Sequence, residues 1–208
     1  PNPSTKKLFK TFDENTATEN DKITAAILKY LCAVIGDPFT RVCRRLFVEA
    51  CWPTIWKFHL IVPIFKKGAA FQLGNYRGVH LTTILSKIAE RLVGAQLVPY
   101  LQKYTYGEHQ WAFSTGLSSC DLVTMLVMSW ILAICLGKKV GGYLSDISGA
   151  FDRVCKEYLL AKLQGFGIGE TMLKFLDSYL APRVGNVVVQ GQYSNDMIID
   201  NSVFQGTV

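Results

Sequence analysis

The chain has 208 residues, half of them apolar and 18% charged, with a formal net charge of +6. This composition suits one or two domains with real cores and excludes a disordered chain, a collagen or a low-complexity scaffold. Six cysteines, no two within four residues of each other, exclude a disulfide-stapled miniature and a CxxC zinc half-site.

The charge is unevenly placed. Residues 41–91 hold nine basic side chains against Glu49 and Glu90, a net of +7, while the remainder nearly balances. One basic block of this kind fits a polyanion partner or a solvated basic face. No basic-then-apolar leader opens the chain, so secretion is not expected and reduced thiols in the cytoplasm or nucleus are. The longest apolar run, Leu122–Leu136, is fifteen residues. A membrane span needs ~20, so the run is expected to be a buried helix and no membrane partner is expected.

Residues 1–21 are polar and are expected to be loose. Ile23–Ile35 carries apolar residues at helical spacing, and Gly36-Asp37-Pro38 is expected to end that helix. Phe39–Ala50 repeats the helical pattern, with Arg41, Arg44 and Arg45 outside. Phe58–Phe65 reads as a strand, with Phe58, Leu60, Val62 and Ile64 on one face and Pro63 marking an edge or bulge. Lys66-Lys67-Gly68 is a turn and Gly74–Gly78 a loop. Ile84–Tyr100 is a helix, and the serines of Ser114–Asp121 can cap the helix Leu122–Leu136. Gly141–Ile147 reads as a short strand, Lys156–Gly165 and Gly169–Leu180 as helices, and Val184–Val189 with Tyr193–Ile199 as a hairpin about Gly191-Gln192. The expected class is α+β. The three histidines show no ligand spacing, and the four tryptophans read as core.

The sharpest chemical signal is Tyr143–Val154, YLSDISGAFDRV. An apolar strand ends in Asp146, followed by small residues and then Phe151 and Asp152. A carboxylate at a strand end suits a hard cation such as Mg²⁺. Equally, Asp146 can simply end the strand and Asp152 cap the next helix.

This segment resembles motif A of the reverse transcriptases of non-LTR (LINE-like) retrotransposons. WPTIWKFHLIVPIFKKG (52–68), NYRGVHLTTILSKIAERLV (75–93), YGEHQWAFSTGLSSCDLV (106–123) and VFQGTV (203–208) resemble further blocks of that family, in the family's order. Departures occur at Gly78, Val79 and His80, where Pro-Ile-Ser is usual. Ala112 stands for the usual Gly, and Ser114 and Gly149 stand where basic residues are common. The aromatic-Xaa-Asp-Asp hairpin of motif C is expected beyond Val208, since no Asp-Asp pair occurs in the chain. Both ends are read as cuts.

The resemblance implies a right-hand polymerase. Residues 1–21 would be a flexible lead, 22–120 fingers and the fingers–palm region, and 121–208 a partial palm with an antiparallel sheet packed by helices. Asp146 would bind two catalytic Mg²⁺ ions with the Ile147 backbone carbonyl. Lys66, Lys67 and Arg77 would approach the dNTP triphosphate, Phe151 would exclude ribonucleotides, and Gln205 and Gly206 would line the nucleotide pocket. Arg41, Arg44, Arg45, Lys87 and Arg91 are candidates for phosphate contacts to an RNA template and DNA primer, or for a solvated face. The implied function is RNA-directed DNA synthesis, with this fragment inactive alone; the alternative is a non-catalytic nucleic-acid-binding remnant of a retroelement.

Overall fold

The computed structural model describes residues 5–16, 21, 23–147, 149–200 and 203, and of Asp152 the backbone only. The chain divides into two compact units, Pro1–Gln96 with Gly149–Val208, and Leu97–Ser148.

The first unit opens with helix α1 (Thr5–Thr11), inside the segment expected to be loose. Its Leu8 and Phe9, with Phe12 beyond it, are buried against Ala25, Leu28, Cys32, Ile84 and Ile88. Helix α2 (Ala25–Val48) is capped by Thr24, whose side chain accepts from the Ile27 amide, and it runs through Pro38. The expected break at Gly36-Asp37-Pro38 therefore does not occur. One apolar stripe continues across the proline: Leu28, Cys32, Phe39, Cys43 and Leu46 all face the two core clusters. Packing along that stripe outweighs the ~3 kcal/mol a helix-interior proline costs. Gly36 also makes room for Lys6: an added Cβ would run into the Lys6 side chain, which reaches over Gly36 to pair with Asp37 at 2.7 Å.

Strand β1 (Phe58–Phe65) forms over the expected residues. It pairs antiparallel with β2 (Tyr76–Leu81), from Leu60↔Leu81 to Phe65↔Tyr76. The start of β2 lies where the loop Gly74–Gly78 was expected. Helix α3 (Ile84–Tyr104) follows, with the Thr83 hydroxyl accepting from the Ser86 amide at its start.

After the second unit come α5 (Lys156–Gly165) and α6 (Glu170–Tyr179), then β3 (Arg183–Val189), β4 (Gln192–Tyr193) and β5 (Met197–Ile199). β3 runs parallel to β1 over Phe58–Ile61 and antiparallel to β4 and β5. The sheet is thus mixed rather than wholly antiparallel, within the expected α+β class. The hairpin turn is Gln190-Gly191, both at positive φ, one residue earlier than expected. Pro63 sits past the end of the β1–β3 pairing, where its missing N–H breaks no ladder there. Trp52 and Trp56 are core, stacked edge-on at 5.1 Å beside Phe175.

The second unit holds α4 (Ser119–Cys135). Ser118 and Asp121 form a reciprocal capping box, as the serine-rich segment led one to expect. The expectation of a buried helix is not met: no α4 residue is buried, and its own unit provides no layer to cover Met128, Ile131, Leu132 or Ile134. Gly141–Ile147 is irregular and exposed rather than a strand. A strand needs a partner backbone, and none of the described ladders includes this segment. Among the described residues no helix is long and apolar enough to cross a membrane.

Under the sheet lies a buried polar chain. His59, fully buried, sits with Nδ1 3.0 Å from His80 Nδ1 and Nε2 2.9 Å from Arg183 Nη1. Arg183 can only donate, so Nε2 accepts, His59 carries its proton on Nδ1, and His80 Nδ1 must accept it. Burial, then Arg183 and His80, push the His59 pKa down to about 2. Nearby, burial pushes the Glu90 carboxyl up to about 7, although Arg183, the Tyr179 hydroxyl and Lys87 pull it back.

These two groups have opposite pH linkage. Below 6.5 the unfolded chain takes up a His59 proton that the folded chain refuses, so stability falls as pH falls. From about 7 down to 4.5 the folded chain takes up a Glu90 proton that the unfolded chain does not, so stability rises. The effects cancel over most of that window, and acid destabilisation sets in below 4.5. Glu90→Gln should leave the His59 effect alone, losing ~2–3 kcal/mol between neutrality and pH 4.5 where the parent holds level. Urea unfolding at the two pH values checks this; parallel profiles would contradict it.

Candidate nucleotide and nucleic-acid interface

The β1–β2 ribbon ends in the ten-residue loop 66–75, which carries Lys66 and Lys67, and Arg77 follows on β2. The Lys66 amide donates to Asn75 O at 2.8 Å, extending the ladder by one rung. The Gln72 amide donates to Ala69 O and the Asn75 amide to Gln72 O. The Asn75 carboxamide donates to Ala69 O at 2.9 Å and to Gln72 Oε1 at 3.3 Å, and the Tyr76 hydroxyl donates to Ala70 O at 2.9 Å. The loop is therefore tied to itself rather than to the rest of the unit. Gly68 is required, for its φ is +91° and a Cβ would fall 2.6 Å from Asn75 Nδ2.

This loop fixes where the cations point. Register sets Arg77 opposite Ile64, so the two share a face, and Lys66, two residues beyond Ile64, continues it. Lys66, Lys67 and Arg77 are all exposed. Three exposed cations on this ribbon can meet phosphate oxygens, Arg77 in a two-pronged fashion and the lysines as point charges.

The other candidates separate. Arg41 and Arg44 are exposed on α2, and Arg45 pairs with Glu49 at 2.7 Å. Arg91 lies over the Phe12 ring at 4.0 Å and donates to Thr11 Oγ1. Lys87 is buried, and that burial lowers its pKa. The structure sets this residue among the buried positions of α3, with Ile84 and Ile88, rather than on an exposed basic face.

Phe151 begins a short 3-10 turn after Gly149, which takes φ +64°. The Phe151 carbonyl accepts from the Val203 amide at 3.1 Å, so the first residue of the VFQGTV block lies against this turn. Its ring is about half exposed. Gln205 and Gly206 lie outside the described residues. Asp146 and Ile147 are exposed on the irregular segment of the second unit. Among the described residues no group of three His, Cys, Asp or Glu side chains could hold a metal ion. Asp146 supplies one carboxylate, and waters, substrate phosphates or further carboxylates would have to complete an octahedral Mg²⁺ shell.

No family profile matches the chain. It is 29% identical over 159 residues, 76% of its length and 17% of the relative's, to the probable RNA-directed DNA polymerase from transposon BS of Drosophila melanogaster. It is 27% identical over 196 residues, 93% of its length and 22% of the relative's, to the probable RNA-directed DNA polymerase from transposon X-element of the same fly. The chain is thus similar in sequence to two probable RNA-directed DNA polymerases of transposons. An uncharacterized 149 kDa protein of transposon TX1 from Xenopus laevis is 22% identical over 186 residues, 89% of the chain and 14% of that protein. The chain thus spans about a fifth of the length of the transposon polymerases it matches.

Sequence reasoning missed the Arg183–His59–His80 chain. Its only outward signs were a histidine inside the apolar run FHLIVPIF and an arginine heading the apolar strand RVGNVVV.

Gly68→Ala should force the Asn75 side chain out of its bonds and raise the left-handed backbone cost, about 1–3 kcal/mol of local order. Hydrogen exchange at the Lys66 amide should accelerate roughly 10–100-fold, while amides in the middle of β3 keep their rates. Unchanged Lys66 exchange would show that the loop is held by something else.

Proposed function

We propose that the chain is the fingers and first part of the palm of a transposon RNA-directed DNA polymerase. The observation that carries the reading is the similarity to two relatives of that name, running over 76% and 93% of the chain. The pinned ribbon supports it by directing exposed Lys66, Lys67 and Arg77 outward together. In this reading Lys66, Lys67 and Arg77 receive the triphosphate of an incoming dNTP. Arg41 and Arg44 track phosphates of the RNA template or DNA primer, with electrostatics that weaken steeply in salt.

Asp146 is assigned as one carboxylate of the polymerisation centre, and Phe151 as the ring that crowds a ribose 2′-hydroxyl. Gln205 and Gly206 are assigned to the nucleotide pocket. Mg²⁺ would be held only when further carboxylates join Asp146, so no chemical step is assigned to the described residues. A second reading is a piece that binds nucleic acid without catalysis. It is favoured by the same ribbon, whose cations need no metal to meet phosphates.

The test is primer extension on an RNA template by the longer protein that contains this chain. Asp146→Asn should remove extension, at least 10³-fold, with an unchanged melting curve, because the residue is exposed and makes no core contact. Extension retained by the variant would remove Asp146 from the centre. Extension absent in the parent, alongside salt-dependent RNA binding, would favour the second reading.

A further inference from the structure

The tip of the β1–β2 ribbon holds an anomaly that the cations do not explain. Six hydrogen bonds fix the loop, five of them on its backbone. It nevertheless turns Phe71, 86% exposed, and Leu73, 89% exposed, out to water. A collapsing chain normally tucks such side chains inward, and a flexible loop would let them fold back. Here the ties at Ala69, Ala70, Gln72 and Asn75 bracket Phe71 on both sides, so an apolar ring is presented at little further ordering cost. Preorganised apolar surface of this kind is what a binding contact requires.

The surroundings say what it meets. Lys66 and Lys67 precede the ring in the same loop, and Arg77 follows it on β2. A flat aromatic flanked by cations matches a single-stranded nucleic acid, where phosphates alternate with bases whose faces are bare. A duplex offers the phosphates but hides the base faces in its stack. An apolar protein segment would use the ring but leave the cations without partners.

We propose that Phe71, with Leu73 beside it, is a stacking platform for an unpaired base of a single-stranded RNA template, held while the neighbouring cations take phosphates. This rests on the polymerase reading and adds to it a residue and a contact: the tip would grip the template strand as well as face the triphosphate.

The experiment titrates the 208-residue chain with a single-stranded RNA carrying 2-aminopurine, and with the same sequence as a duplex, over a range of salt. The parent should bind the single strand more tightly than the duplex, with a change in 2-aminopurine fluorescence on binding. Phe71→Ala should weaken single-strand binding about tenfold, lose the fluorescence change and keep the salt slope. Phe71→Trp should restore both signals, and Phe71→Leu should not restore the fluorescence change. The ring is exposed, so circular dichroism should be the same for all variants.

Equal affinity and fluorescence change in Phe71→Ala would overturn the platform while leaving the polymerase reading intact. A Phe71→Leu variant that matches the parent in both would also overturn it, and would mark the tip as an apolar protein contact. Absence of salt-dependent binding of either RNA by the parent would count against the polymerase reading itself, and the platform would fall with it.

Discussion

A single buried guanidinium organises the first unit. Arg183 is 1% exposed, and taking such a charge out of water costs several kcal/mol. The cost is offset by directed acceptors: Tyr179 O at 2.7 Å, His59 Nε2 at 2.9 Å and, at the long limit, Trp56 O at 3.4 Å. The Tyr179 ring lies 4.7 Å beneath the guanidinium. These partners belong to α6, to β1 and to the turn before β1, so one side chain ties the helical layer to the centre of the sheet. Because an arginine cannot accept, it also orders the protons of both histidines and thereby links β1 to β2 through side chains as well as backbone.

That anchoring gives the ribbon its mechanical character. Its root is braced by Arg183 and by the β1–β3 pairing, which ends at Ile61. Beyond that point β1 and β2 continue with only each other, and the tip is held by its own loop bonds. Rigid at both ends and projecting between them, the ribbon can place three cations and an aromatic ring away from the core without losing their mutual arrangement. The second unit is built differently: α4 is well capped yet buries nothing within its unit, and the segment bearing Asp146 has no ladder. A carboxylate presented this way can be a ligand only when other groups converge on it.

Local pattern carried much of this into the sequence. Phe58–Phe65 and Lys156–Gly165 were legible to the residue because period and bounding breakers agreed, and a serine cap before α4 was legible, though not its partner Asp121 or the start at Ser119. Helix α2 was not, because the proline rule is local whereas the stripe that overrides it is assembled by contacts with α1, α3 and α6. The strand expected at Gly141–Ile147 had the right residues and lacks a partner, which no window of sequence reveals. Lys66, Lys67 and Arg77 were found through family resemblance and proved exposed on one ribbon. Lys87, chosen instead from the basic block, is buried. Arg183 and His59 meet across 124 residues, a separation at which neither periodicity nor composition carries a signal.

The central claim is that the ribbon tip is the polyanion-facing end of the molecule. The salt dependence of single-stranded RNA binding tests it most directly, comparing the parent chain with the triple variant Lys66→Gln, Lys67→Gln, Arg77→Gln. Three lost phosphate contacts should reduce the slope of log K against log salt by about 2. An unchanged slope would place the nucleic acid elsewhere on the chain and contradict the account.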